Sequence, residues 1–174
     1  AALAGAREIA ATTLRIPHPY DQSMAEQWIT GLEQQRIEGR SACFAVCVQE
    51  GRQLIGCIGL ELERDQGRAE LGYWIGHSYW GRGYATEAAA AVLEFAFDML
   101  HLRRGFASHL AENEASGRVL AKIGMKHEGR LREHIEKWGE YHDSVVWGIV
   151  ESDYVELVSQ RVARSGGGCC AGHE

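Results

Sequence analysis

The stretch "WGRGYATEA", Trp80 to Ala88, joins two glycines to the start of an alanine-rich run. Gly81 and Gly83 flank Arg82, and helical spacing takes over almost at once. The first turn of a helix leaves backbone N–H groups without partners and carries roughly half a positive charge. Glycines there let the backbone come close to an anion, because no Cβ intervenes. Arg82 and Thr86 add side-chain donors. The chemistry that fits is phosphate binding, and a diphosphate suits it well. Other phosphate motifs fit poorly. A P-loop needs Gly-Lys-Ser/Thr after its glycines, and no lysine follows here. A dinucleotide fingerprint needs a third glycine or alanine in register, and Ala85 falls one place short. A plain glycine turn between a strand and a helix stands as the alternative.

Such a turn needs a strand before it and a helix after it. "RAELGYWIG" supplies the strand, and Thr86 to Leu100 supplies the helix, with Ala88, Val92, Phe95, Ala96 and Met99 at helical spacing. Upstream, Ala2 to Thr12 reads as a short helix, broken by the two prolines of "IPHPY". Asp21 or Ser23 can cap a second helix running to about Glu38, with Met24, Trp28, Ile29 and Leu32 as its apolar stripe. "CFAVCVQE" reads as a buried strand, paired with "QLIGCIGLELE" across the turn at Gly51. "RRGFASHL" is a short strand. Asn113 to Ile123 is an amphipathic helix stopped by Gly124. The run from Met125 to Val150 reads as two strands joined near Gly139. This order predicts a single α/β domain, with a mixed sheet and helices on both faces. The pattern begins inside a helix, so a first strand is expected to be missing from the chain.

The chain has 174 residues, 45% hydrophobic and 24% charged, values of an ordinary globular domain. A formal net charge of -6 argues against a nucleic-acid partner. No apolar run is long enough to span a bilayer, so no membrane partner is expected. Five cysteines, an odd number, make a disulfide framework a poor reading and a reducing cytoplasm the better one. Cys43 and Cys47 read as core, as does the Trp28 stripe. The end, "SGGGCCAGHE", is glycine-rich and expected to be disordered, which sets the domain at 1–163 and a tail at 164–174.

Three segments together, "AELGYWIGHSYWGRGYATEA", "ENEASGRVLAKIGMKHEGRLRE" and "GEYHDSVVWGIV", resemble the GNAT superfamily of N-acetyltransferases. The likeness is nearest to its RimJ/RimL-like branch, the ribosomal-protein N-terminal acetyltransferases, and runs from about Cys43 to Val150. The resemblance implies the GNAT fold, with a mostly antiparallel central sheet, and acetyl-CoA as co-substrate. Its acetyl-CoA motif, Gln/Arg-x-x-Gly-x-Gly/Ala, falls on Trp80, Gly81, Arg82, Gly83, Tyr84 and Ala85, with Trp80 departing from the pattern. The implied cofactor contacts extend to Trp74, Ile75, Thr86, Asn113 and Ser116. The pantetheine arm would lie between "ELGYWI" and "RRGFASHL", splayed apart, and Gly72 is consistent with a bulge that opens them.

Many superfamily members carry a tyrosine on the helix after the second strand, as general acid for the departing thiolate. Here that position is Leu120. The resembled branch implies a serine instead, matched by Ser116, one helical turn beyond Asn113. Asn113 is also a natural helix cap. Glu70, beside the expected thioester, is the candidate general base, against the plain reading of a strand-edge glutamate. The branch also suggests a base near Ile135, which cannot serve; Glu133, His134 and Glu136 surround it out of register. His127, His134 and His142 read as satisfied or exposed rather than as metal ligands, and no metal is expected. The implied reaction is direct attack of an amine on the thioester in a ternary complex, with backbone donors of "ELGYWI" polarising the carbonyl. The implied acceptor is a protein N-terminus, with a polyamine or an amine antibiotic as the alternative. A non-catalytic acyl-CoA-binding module is the rival of another class. Monomer and homodimer both remain open.

Overall fold

The computed structural model describes residues 1–166, and the glycine- and cysteine-rich end from residue 167 lies outside the described residues. In chain order come α1 (Arg7–Thr12), α2 (Gln22–Ile37), β1 (Ser41–Cys47), β2 (Leu54–Glu63), β3 (Arg68–Ile75), α3 (Tyr84–Glu94), β4 (Arg104–Leu110), α4 (Glu114–Lys122), β5 (Lys126–Lys137), β6 (Glu140–Val150) and α5 (Glu151–Gly166). The strands form a single six-stranded open sheet in the order β1-β2-β3-β4-β6-β5. Among the described residues, only β3 and β4 run parallel. Their connection is the one that contains α3, as a parallel crossover requires.

Alternation along the strands sorts the side chains onto two faces. On one face, Ile58, Leu60, Leu62, Ala69, Leu71, Ala107 and Ile149 pack with Val92, Leu93 and Ala96 of α3 and its extension, Leu120 of α4 and Tyr154 of α5. Leu60, Leu120 and Ile149 are each 1% exposed. Burying an aliphatic side chain of that size stabilises by about 1.5–3 kcal/mol, so this layer supplies most of the hold. On the other face, Arg15, just beyond α1, pairs with Glu61 and Glu70. Gln35 of α2 shares a cavity there with Glu61, Glu63 and Glu70. Helices therefore cover both faces.

Local signals account for most boundaries. The Asp21 carboxylate accepts from the Met24 N–H at 2.9 Å and starts α2. Gly124, with φ 94°, ends α4. Trp138 and Gly139, both at positive φ, turn β5 into β6.

Four expectations need correction. "CFAVCVQE" is not a buried strand: β1 is the sheet edge, and Phe44, Ala45 and Cys47 are exposed. Cys47 is thus not core, and Cys43 is only half-buried, its sulfur 3.1 Å from that of Cys57. The stripe on α2 is not core either: Trp28 is 42% and Ile29 60% exposed, and Ala25 is the residue α2 buries. Gly72 makes no bulge, because the β2–β3 ladder runs without a shift from Gly56↔Ile75 to Glu63↔Arg68. Sequence reading also overlooked α5, whose Tyr154 ring stacks on Phe97 at 4.6 Å between centroids and donates to Asp98.

No helix among the described residues is long and apolar enough to cross a membrane.

Candidate active site

The site begins where two parallel strands separate. β3 and β4 pair at Arg68↔Arg104, Ala69↔Gly105 and Glu70↔Phe106, and no further. Beyond Phe106, β4 goes on pairing with β6 as far as Leu110↔Ser144. β3 goes on pairing with β2 as far as Gly56↔Ile75. Each strand stays in the sheet on its far side, so the opening between them is a V with Glu70 and Phe106 at its apex. The opening comes from this divergence and needs no bulge at Gly72.

The phase of the ladder decides which peptide groups face the opening. The Gly76 N–H donates to the Ile55 carbonyl at 2.8 Å, so Gly76 points its peptide group towards β2. Alternation then turns Trp74 and Gly72 the same way, and turns Tyr73 and Ile75 into the gap. The Ile75 carbonyl is taken by the Trp80 indole N–H at 2.5 Å. Trp80 thereby folds back against the end of β3 and the edge of the His77 ring.

Between the end of β3 and the start of α3 comes the glycine turn. Gly81 has φ 74° and Gly83 φ 87°, both in the left-handed region that favours glycine. Gly83 is the N-cap of α3, and no side chain caps that end. A Cβ built on either glycine would meet nothing within 4 Å. The turn thus presents bare backbone, with the first N–H groups of Tyr84, Ala85 and Thr86 behind it, to open space. This is the arrangement an anion needs. Arg82 is exposed and lies over the Tyr79 ring at 5.7 Å, within reach of the same space.

On the α4 side, Asn113 does two things. Its side-chain oxygen accepts from the Ser116 N–H at 3.2 Å, and its amide donates to the Thr12 carbonyl at 3.0 Å. It caps α4 and ties that cap to the end of α1. Ser116, half-buried, turns its hydroxyl to Tyr73, with 2.8 Å between the two oxygens. Lys137 adds a second tie, reaching the carbonyls of Ala10 and Thr13. Burial pushes the Lys137 ammonium below its ordinary pKa.

Glu70 lies on the opposite face of β3 from Tyr73, by the alternation of the strand. Its carboxylate takes the Arg15 guanidinium at 2.7 Å and the Ser108 hydroxyl at a long 3.3 Å. Arg15 also holds Glu61. These are Arg–carboxylate pairs, of modest worth where solvent reaches them. A cavity of about 270 Å³ opens beside them, lined by Gln35, Arg40, Glu61, Leu62, Glu63 and Glu70.

The structure thus brings Ser116, on the helix that Asn113 caps, to Tyr73 of β3, and sets Glu70 on the other face of that strand. It adds Tyr73, Ser108 and Arg15, which sequence reasoning missed. The outlying candidates stand elsewhere. Glu133, His134 and Glu136 are exposed on an irregular stretch of β5. His127 packs edge-on against Trp147, and His142 lies 3.4 Å from Glu112. Among the described residues, no three His, Cys, Asp or Glu side chains are placed to hold a metal ion.

Comparison with known proteins identifies the family. Residues 1–126 match the family described as the acetyltransferase (GNAT) domain. An uncharacterized N-acetyltransferase, p20, of Bacillus licheniformis is 30% identical over 135 residues, 77% of this chain and 76% of its own length. The ribosomal protein uS5-alanine N-acetyltransferase of Escherichia coli is 30% identical over 84 residues, 48% of this chain and 43% of its own. The latter likeness is consistent with the RimJ/RimL-like branch. In fold, the chain superposes on the spermidine N-acetyltransferase of Vibrio cholerae, solved with CoA and spermine, with a TM-score of 0.77 at 23% identity, covering 88% of this chain and 89% of that one. A divergent parallel strand pair, a bare glycine turn at a helix start and a family match over most of the length lead to one assignment: the chain belongs to the GNAT family of acetyl-CoA-dependent N-acetyltransferases.

Proposed function

We propose that this protein acetylates the α-amine of a protein N-terminus, by direct attack of the amine on acetyl-CoA in a ternary complex. The observation that carries the reading is the V between β3 and β4, followed in the chain by the uncapped turn at Gly81–Gly83. A diphosphate on that turn lets an extended arm run along the free peptide edge of β3. The thioester then comes to rest near the apex, between Ser116 and Glu70. The Tyr73 and Ile75 peptide groups offer N–H donors to the arm and to the thioester carbonyl, where charge develops during attack. Trp74 contributes its side chain to the Glu70 face.

Ser116 is the proposed proton donor to the departing thiolate. Glu70 is the proposed base, acting directly or through a water. A terminal α-amine has a pKa of about 7.7–8.0, against about 10.4 for lysine, so it asks little of that base. The likeness to an enzyme of E. coli that acetylates an alanine of ribosomal protein uS5 supports this acceptor class.

A second reading has its own observation. Glu61, Glu63 and Glu70 all border the cavity beside the apex, and carboxylates there suit a polyamine. The spermidine enzyme of V. cholerae shares the fold. The test is thiol release from acetyl-CoA against a panel of N-terminal peptides, spermidine and aminoglycosides. Peptides with a free N-terminus should turn over fastest, and the same peptides with a blocked N-terminus should not react. Preference for spermidine would move the assignment to the second reading.

A further inference from the structure

Acetyl transfer as outlined leaves one inward-facing hydroxyl without a task. Tyr73 stands on β3, on the α4 face, three residues past Glu70, the last residue that β3 pairs with β4. Its oxygen lies 2.8 Å from Ser116 Oγ and 3.5 Å from the Ser116 carbonyl. The contact crosses the opening from β3 to the helix that follows β4. It closes the α4 face of the V, while the Gly72 face stays open.

Only one of the two hydroxyls can donate in that short contact. Were Ser116 the donor, the Tyr73 proton would be left with a carbonyl at 3.5 Å, too far for a good hydrogen bond. With Tyr73 as donor, both protons are placed. Tyr73 gives its proton to Ser116 Oγ, and the Ser116 proton is free to turn into the opening. Leu120, 1% exposed in the core, offers no hydroxyl from α4, so Ser116 has Tyr73 behind it.

We propose that Tyr73 is a positioning residue of the acetyl transfer: it donates to Ser116 Oγ, aims the Ser116 proton at the thioester sulfur, and replaces that proton as it leaves. The inference rests on the acetyl-transfer reading and assigns its acid side. The steps balance. The acceptor nitrogen forms a bond to the acetyl carbon and sheds a proton to Glu70 or water. The C–S bond breaks, and its electron pair stays on sulfur. Sulfur takes the Ser116 proton, Ser116 takes the Tyr73 proton, and the tyrosinate recovers one from water as the products depart. One amide and one thiol result. Burial pushes the Tyr73 pKa up to about 12 against the opposing pull of the Ser116 bond, so the phenol keeps its proton through the neutral range.

The experiment compares the parent protein with Tyr73→Phe, Ser116→Ala and the double variant, using an amine on which the parent turns over. It reads kcat, KM for acetyl-CoA, CoA affinity by calorimetry and melting temperature. Ser116→Ala should lower kcat by roughly 10²–10³-fold and Tyr73→Phe by roughly 10–100-fold, with KM and CoA affinity unchanged. Because the two act as a unit, the double variant should be no slower than Ser116→Ala alone. A fluorotyrosine introduced at position 73 keeps the shape and the hydroxyl but acidifies the phenol, so the alkaline fall of kcat should move to lower pH with melting temperature held; an unmoved profile would overturn the inference, and this arm covers the case of a poorly folded Tyr73→Phe. Parental kcat in Tyr73→Phe, losses that multiply in the double variant, or a loss shared equally by CoA affinity would each overturn the inference. A parent with no amine-dependent thiol release would overturn the acetyl-transfer reading itself, and this inference with it.

Discussion

Replacing Gly83 by alanine separates what the protein needs at this turn from what a ligand needs. Gly83 has φ 87° and ψ -9°, and an added Cβ would meet nothing within 4 Å. The substitution therefore collides with no protein atom and adds only backbone strain. The left-handed region costs an L-residue about 1–2 kcal/mol, while alanine in place of glycine stiffens the unfolded chain by about 0.4–1 kcal/mol. The net, about 0–1.6 kcal/mol, lowers the melting temperature of a chain this size by about 0–6 °C. Gly67 is the internal control. It also has a left-handed φ, 61°, and its added Cβ would only touch Arg103 at 3.4 Å, an ordinary contact. Gly67→Ala should show the same modest thermal loss and unchanged CoA affinity. Gly83→Ala should show that thermal loss together with CoA binding at least about tenfold weaker, or about 1.4 kcal/mol, because its methyl would enter the space proposed for a phosphate. Calorimetric titration with CoA and thermal unfolding of both variants give the comparison. Equal CoA affinity in the two variants would refute the assignment of this turn to phosphate.

Three further outcomes are expected. Glu70→Gln should leave a rate that climbs with pH until the acceptor amine is neutral, levelling near pH ~8 for a terminal α-amine and one or two units higher for a lysine or polyamine; a profile overlaying the parent's would remove Glu70 from the mechanism. Asn113→Ala removes the α4 cap and leaves the Thr12 carbonyl without its amide donor, so thermal unfolding should show a loss of about 1–2 kcal/mol. Asp143 is held below its ordinary pKa of 3.8, first by the Glu133 N–H and then by Arg130. A depressed carboxylate contributes stability that is present above its unfolded pKa and lost as pH falls through the folded one. Asp143→Asn should therefore melt below the parent at neutral pH, and the two curves should converge below about pH 3.8.

The glycine turn was legible because everything that makes it is local. Two glycines, a helix start and a preceding strand sit within a dozen residues, and positive φ is a demand that glycine alone meets cheaply. Asn113 was legible for the same reason: a capping residue and its target N–H lie three apart. Tyr73 was not. In the sequence it is one aromatic in an apolar strand, where core packing is the expected fate. Its partner lies 43 residues away, and only the divergence of β3 from β4 brings the two hydroxyls together. Arg15 was hidden likewise, 46 and 55 residues from the glutamates it holds. The α2 stripe failed for a different reason. Periodicity says which residues share a face, but not whether another element covers that face, and here Trp28 and Ile29 face solvent. β1 failed because an apolar run does not reveal whether its strand lies at the centre or the edge of a sheet. For α5, Val155, Val158 and Val162 carry helical spacing, yet all are exposed, and among the described side chains of the helix Tyr154 is the buried one.

One strand organises the whole site through its period of two. The peptide groups of Tyr73 and Ile75 point into the opening, because those of Gly72, Trp74 and Gly76 are committed to β2. The Tyr73 side chain goes to the α4 face, where Ser116 waits. The Glu70 and Trp74 side chains go to the other face, where Arg15, Ser108 and the acidic cavity lie. In the proposed mechanism, proton donation to sulfur and proton removal from nitrogen therefore happen on opposite sides of a single strand. That separation has chemical value. A base in contact with Ser116 would compete for the proton the thiolate needs, and an acid beside Glu70 would protonate the amine that must attack. A register slip of one residue would exchange the two faces and bring Tyr73 beside Arg15. The unbroken β2–β3 ladder, with Gly59 against Gly72 at its middle, is what holds that register.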